Sequence, residues 1–147
     1  MFWFVDTSAL AKRYVNEPGS QWLRREIAQH QVLLAQITSV EMMAALGRRF
    51  RQGQIPRFAL YQSRRRFLTH RAQSQYQIVD LSADIVEEAM RLTVVYDVRA
   101  YDAVQLATAL FVAKGVDRYR FVFVTADFQL EAAGVAEGLL VENPLNH

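Results

Sequence analysis

The sequence predicts an α/β fold: a central, mostly parallel sheet of four to five strands flanked by helices on both faces. Three observations lead there. Phe2-Trp3-Phe4-Val5 and Phe121-Val122-Phe123-Val124 are short, wholly apolar runs, the pattern of parallel strands buried on both sides. Helix-length stretches separate the strand candidates, so the connections favour parallel pairing. A length of 147 residues fits a single domain over 1–147, and a 52% apolar fraction supplies a core.

In chain order, residues 2–5 form the first strand. Thr7 or Ser8 is expected to cap a short helix through about residue 15. Asn16-Glu17-Pro18-Gly19-Ser20 interrupts the chain before a helix from about 21 to 29, with Trp22, Leu23 and Ile27 inward. Residues 32–35 read as the second strand. Thr38 or Ser39 is expected to cap a helix ending near Gly53, with Val40, Met43, Ala44 and Gly47 as its apolar stripe, widened by Leu46 and Phe50. Pro56 suits the first turn of a helix to about 72, with Phe58, Tyr61, Phe67 and Leu68 on its apolar side. Residues 77–80 make a weaker third strand. Ser82 caps a helix to about 96, and another runs from about 100 to 114, stopping at Gly115. Residues 121–124 are the fourth strand, a short helix follows Asp127, and 139–141 close as a small strand.

Several chemistries are excluded. With no cysteine there is no disulfide, thiolate nucleophile or Cys-based zinc site. His30, His70 and His147 show neither metal-ligand spacing nor a Ser/His/Asp arrangement and read as surface residues. The six glycines are scattered singly, without a phosphate-binding loop. A phospho-aspartate at Asp6 calls for a second acid two positions on, where Ser8 stands. The start of the chain lacks the pattern of a signal peptide, and the apolar stretch from 103 to 113 is too short to span a bilayer. A cytoplasmic protein with no membrane partner is expected.

The net charge of +2 is unevenly spread. No acid occurs between Glu41 and Asp80, a stretch that carries Arg48, Arg49, Arg51, Arg57, Arg64, Arg65, Arg66 and Arg71. Guanidinium forks match phosphate geometry better than lysine does. Arg48, Arg49, Arg64, Arg65 and Arg66 are therefore candidate substrate contacts. The competing readings are a solvated face or a surface for an acidic protein.

Four acids carry the functional signal. Asp6 follows the first strand directly, and Asp127 follows the fourth through Thr125 and Ala126. Both stand at the carboxyl edge of the sheet, where open α/β folds bind ligands. Glu41 and Asp102 lie near helix starts with no base three or four residues on. Singly, Asp6 and Asp127 are explained as helix caps, and Asp102 by the helix dipole or by pairing with Arg99. Glu41, at the margin of an apolar face, needs a partner from elsewhere. If strands one and four are neighbours, all four acids converge on one cleft. Acids drawn together without cations repel, and a divalent metal is the simplest remedy. Thr7, Ser8, Ser39 and Thr125 are supporting hydroxyls that can orient the carboxylates or metal-bound water.

Four segments in register resemble the PIN-domain ribonucleases, in the style of the VapC toxins: Phe4-Val5-Asp6-Thr7-Ser8-Ala9-Leu10, Thr38-Ser39-Val40-Glu41, Arg99-Ala100-Tyr101-Asp102-Ala103-Val104-Gln105-Leu106-Ala107 and Phe123-Val124-Thr125-Ala126-Asp127. The resemblance spans nearly the whole chain. It implies a PIN-like three-layer fold and an endoribonuclease whose Asp6, Glu41, Asp102 and Asp127 hold Mg²⁺ or Mn²⁺. It also implies RNA as substrate, a homodimer and a cognate antitoxin. Position 105, often histidine in relatives, is Gln here and receives no role. The alternatives are a housekeeping PIN nuclease without an antitoxin, a non-catalytic nucleic-acid-binding protein working through residues 48–71, and a module that docks an acidic protein.

Overall fold

A computed structural model describes Met1–His147. Five strands, β1 (Phe2–Val5), β2 (Gln31–Ala35), β3 (Gln77–Val79), β4 (Phe121–Val124) and β5 (Leu140–Glu142), form one sheet in the order β3-β2-β1-β4-β5. Every pairing is parallel. Seven helices connect them: α1 (Thr7–Tyr14), α2 (Ser20–Ile27), α3 (Thr38–Arg51), α4 (Arg57–Ala72), α5 (Ala83–Val95), α6 (Ala100–Ala113) and α7 (Phe128–Ala136).

The two apolar runs explain the three layers. Side chains alternate across a strand, so Trp3, Val5, Val122 and Val124 face one way, into a core closed by Leu10, Leu23, Met42 and Phe67 of α1 to α4. Phe4, Phe121 and Phe123 face the other, against Ile85, Leu92, Leu106 and Leu130 of α5 to α7. On that second face Gly134 lets α7 lie close, since a Cβ there would stand 3.0 Å from Phe123 Cδ1 and 3.2 Å from Val141 Cγ2.

The register places the site. Val5 pairs with Val124, and the Asp6 amide donates to the Val124 carbonyl at 3.0 Å. Strands one and four are thus neighbours at their carboxyl ends, and the two strand-ending acids leave the sheet side by side.

Local expectations shift on α1, α3 and α4 and at two histidines. Asp6, rather than Thr7 or Ser8, caps α1. Thr38 and Ser39 lie inside α3, which has no side-chain cap. The inward face of α3 is Thr38, Met42 and Leu46, whereas Val40 is 73% exposed. On α4 only Ser63 and Phe67 are buried, and Phe58, Tyr61 and Leu68 face outward. Phe67 packs into the core, and Ser63, one turn earlier on the same face, is accommodated there because its hydroxyl donates to the Tyr14 carbonyl at 3.0 Å. Two histidines are half-buried rather than free on the surface. His30 stacks on Trp3 at 4.2 Å with Nδ1 buried, and His70 Nδ1 meets the Tyr14 hydroxyl at 2.7 Å. His147 is exposed and stacks on Trp22.

Candidate functional site

A cleft of about 560 Å³ opens at the carboxyl edge of β1, between α1, α3 and the start of α6. Asp6, Glu41 and Asp102 line it, with Thr7, Ser8, Arg48, Arg49 and Gln105.

Asp6 is buried and rigidly held. Its Oδ1 accepts the Ala9 amide at 2.9 Å, and its Oδ2 accepts the Thr125 hydroxyl at 2.7 Å. The Ser8 hydroxyl spans both oxygens at 2.8 and 2.9 Å, while Ser8 Oγ accepts the Ala126 amide at 2.9 Å. The cap reading and the site reading of Asp6 therefore hold together, because the bonds that start α1 also fix the carboxylate. Burial outweighs these donors and raises the Asp6 pKa from its ordinary 3.8 to about 7.

Glu41 projects from the first turn of α3. Its Oε1 accepts from Gln105 Nε2 at 2.7 Å. The same amide nitrogen reaches Thr38 Oγ1 at 2.9 Å and Thr7 Oγ1 at 3.1 Å. Gln105 is 1% exposed, and its Oε1 is buried without a partner. Three acceptors from α1 and α3 thus converge on a side chain to which sequence reasoning gave no role. The resemblance marks the position but not its contacts, because its partners lie 64 to 98 positions away.

Asp102 lies half-buried in the first turn of α6. Burial raises its pKa, and so does the negative charge of Asp127, against a smaller opposing effect of Arg99. Burial also raises the pKa of Glu41, offset in part by Gln105 and Thr7 and reinforced by Asp102. Asp127 caps α7 through the Leu130 amide at 2.9 Å. It stands near enough to act on Asp102 but is not part of the cleft wall. Thr125 ties the two strand ends together, giving its proton to Asp6 and accepting the Asp127 amide at 3.1 Å. Ser39 stays outside this network, with its hydroxyl buried and unpartnered.

None of the four acids forms an ion pair. Nor do three acidic or histidine side chains close into a ready-made ligand cluster. Hard carboxylate oxygens outside any ion pair, those of Asp6, Glu41 and Asp102 with raised proton affinity, are nonetheless the donor set that suits Mg²⁺ or Mn²⁺, which keep several of their own waters. The arginines divide. Arg48 and Arg49 stand in the cleft wall. Arg64 and Arg65 line a shallow groove on α4 beside Tyr61 and Leu68. Arg66 lines a separate cavity with Tyr14.

Residues 3–135 match the family model of the PIN domain. A toxin–antitoxin complex from Klebsiella pneumoniae contains a chain of the same fold, with 22% identity, 96% of each chain covered and a TM-score of 0.63. The Mycobacterium tuberculosis VapC20 toxin, described as cleaving the sarcin–ricin loop, is also similar, at 22% identity over 90% of this chain and 95% of that one, with a TM-score of 0.66. VapBC2 from Rickettsia felis, solved on a promoter DNA fragment, aligns at 16% identity over 97% and 98%, with a TM-score of 0.63. No curated protein sequence gives a significant match.

Proposed function

Because the chain belongs to the PIN-domain family, we propose that residues 1–147 work as one metal-dependent endoribonuclease domain, the toxin of a toxin–antitoxin pair. One observation carries the reading: three carboxylates, Asp6 after β1, Glu41 on α3 and Asp102 on α6, face one cleft and none of them is in an ion pair. Asp6, Glu41 and Asp102 would hold Mg²⁺ or Mn²⁺, with Asp127 acting beside Asp102. The chemistry supplied by such an ion is a lowered pKa for bound water and charge to stabilise the phosphate in an in-line displacement. The chain's own groups do the rest. Ser8, Thr125 and the Ala9 amide fix the Asp6 carboxylate, and Gln105 turns Glu41 toward the cleft. Arg48 and Arg49 meet substrate phosphates from the wall.

The toxin role draws support from neighbours described as toxin–antitoxin complexes and from outward-facing apolar side chains. Phe58 is 74% and Tyr61 55% exposed on α4, more than an unpartnered surface helix needs. An antitoxin or a second copy of the chain would cover them. No helix is long and apolar enough to cross a membrane, in keeping with a cytoplasmic site of action.

The test is RNA cutting by purified protein with Mg²⁺ or Mn²⁺ and with EDTA. Parent protein should cut only with metal, and Asp6→Asn or Asp102→Asn should lose at least a hundredfold while remaining folded. Full activity in both variants returns Asp6 to the status of a helix cap and Asp102 to that of a first-turn acid favoured by the helix dipole.

A further inference from the structure

Beside the acid cleft lies a second cavity of about 660 Å³, bounded by the end of α1, the turn after it, α2, α3 and α4. Arg49 stands in the walls of both hollows. Arg24 and Arg66 complete a set of three guanidinium groups drawn from three helices. Sequence alone does not assemble this set, since Arg24 lies outside the acid-free stretch.

Each guanidinium is held in place. Arg24 donates from Nε to the Arg13 carbonyl at 3.0 Å and from Nη1 to Asn16 Oδ1 at 2.7 Å. Arg66 lies over the Tyr14 ring at 5.7 Å. Arg49 Nη2 donates to the Glu17 carboxylate at 3.1 Å. Glu17 is the only acid in the wall, and it is already shared with Lys12 at 3.2 Å. Lys12 and Arg49 thus share the one carboxylate, and neither Arg24 nor Arg66 has an acidic partner. An unrelated group of solvated arginines would be free to swing. Here a carbonyl, an amide and a ring already fix them, which lowers the ordering cost of binding an anion. Forked donors around a polar hollow suit a phosphate oxygen.

We infer that this cavity is a phosphate subsite, taking a backbone phosphate of the RNA strand that flanks the bond held at the acid cleft. The identity of the strand as RNA rests on the nuclease reading above. Arg49 is the hinge of the path, since it reaches both hollows. The site reads charge rather than base, because the Tyr14 face is already covered by Arg66.

The test is binding of a fluorescein-labelled single-stranded RNA of about twelve nucleotides in EDTA, read by anisotropy across a salt series, so that no cutting intervenes. Each neutralised phosphate on a single strand contributes about 0.7 to the slope of log affinity against log salt. The double variant Arg24→Gln/Arg66→Gln should bind about tenfold or more weakly at low salt, with a slope shallower by between one and two. Arg66→Gln alone, at an exposed position, should give about half that change in slope. Arg64→Gln/Arg65→Gln, on the outer groove, should match the parent. The inference is overturned by an unchanged slope in the folded double variant or in Arg66→Gln. It is also overturned by an equal loss in Arg64→Gln/Arg65→Gln, which would mean diffuse charge, or by a parent that does not bind RNA. A parent that binds through Arg24 and Arg66 but cuts nothing with metal refutes the nuclease reading and upholds the subsite.

Discussion

Removing the charge of Asp6 should stabilise the metal-free protein, and the effect should appear only above mildly acidic pH. In the folded state the Asp6 pKa stands at about 7 against 3.8 ordinarily, because burial costs the carboxylate more than its three donors return. A group whose folded pKa lies above its unfolded value adds stability in full below the unfolded pKa and loses it as pH rises through the folded one. The gap between 3.8 and about 7 corresponds to roughly 4 kcal/mol at about 1.4 kcal/mol per pH unit. Roughly 3 kcal/mol of that falls between pH 5 and pH 8. At about 2–4 °C per kcal/mol for a chain of this size, the parent in EDTA should lose roughly 10 °C of melting temperature over that interval. Glu41 and Asp102, also shifted upward, add in the same direction. Asp6→Asn keeps an acceptor for the Ala9 amide but cannot ionise. Its melting curve should therefore fall less steeply with pH and lie above the parent's at pH 8. Calorimetric or fluorescence melts of both proteins at pH 5, 6, 7 and 8 in EDTA decide the matter. A parent whose stability is flat or rises across this range, or an Asp6→Asn variant with the same pH slope, refutes the electrostatic reasoning.

Other outcomes follow from single contacts. Gln105→Leu removes the donor shared by Glu41, Thr38 and Thr7; it should weaken Mn²⁺-induced stabilisation and cut activity by about 10–100-fold, whereas equal metal stabilisation in variant and parent would deny Gln105 a positioning role. Gly134→Ala puts a methyl 3.0 Å from the Phe123 ring and should cost about 1–3 kcal/mol in denaturant unfolding; a neutral result would mean that α7 shifts freely. Phe58→Ser with Tyr61→Ser should leave RNA cutting intact but weaken self-association or antitoxin binding, as followed by sedimentation. A double variant that assembles like the parent would show that this face of α4 is not the docking surface.

Strand-like signals were the legible part of the fold. Phe2–Val5 and Phe121–Val124 are apolar at every position because both faces of a central parallel strand are covered, so no phase had to be guessed. Phase was the obscure part. On α3 adjacent apolar positions run from Met42 to Leu46, and the stripe read from sequence, Val40, Met43, Ala44 and Gly47, takes the wrong phase. The structure turns Met42 and Leu46 inward and leaves Val40 and Ala44 to wall the acid cleft. On α4, Phe67 and Ser63 take the inward face, Ser63 bonding the Tyr14 carbonyl, and Phe58 is left outside. At the site, Asp6, Glu41 and Asp102 were legible from their places at strand ends and helix starts. Gln105 and Arg24 were not, since their meaning lies in partners supplied by the tertiary fold. The half-burial of His30 and His70 was hidden for the same reason: the rings they meet, Trp3 and Tyr14, lie on other elements.

The most direct measurement of the central claim is calorimetric titration of Mn²⁺ into the parent and into the folded Asp6→Asn/Asp102→Asn variant at pH 8. One shared carboxylate site predicts saturable binding by the parent, loss of at least tenfold in affinity in the variant, and a matching loss of RNA cutting. Equal binding by both proteins, or no binding by the parent at millimolar Mn²⁺, contradicts it.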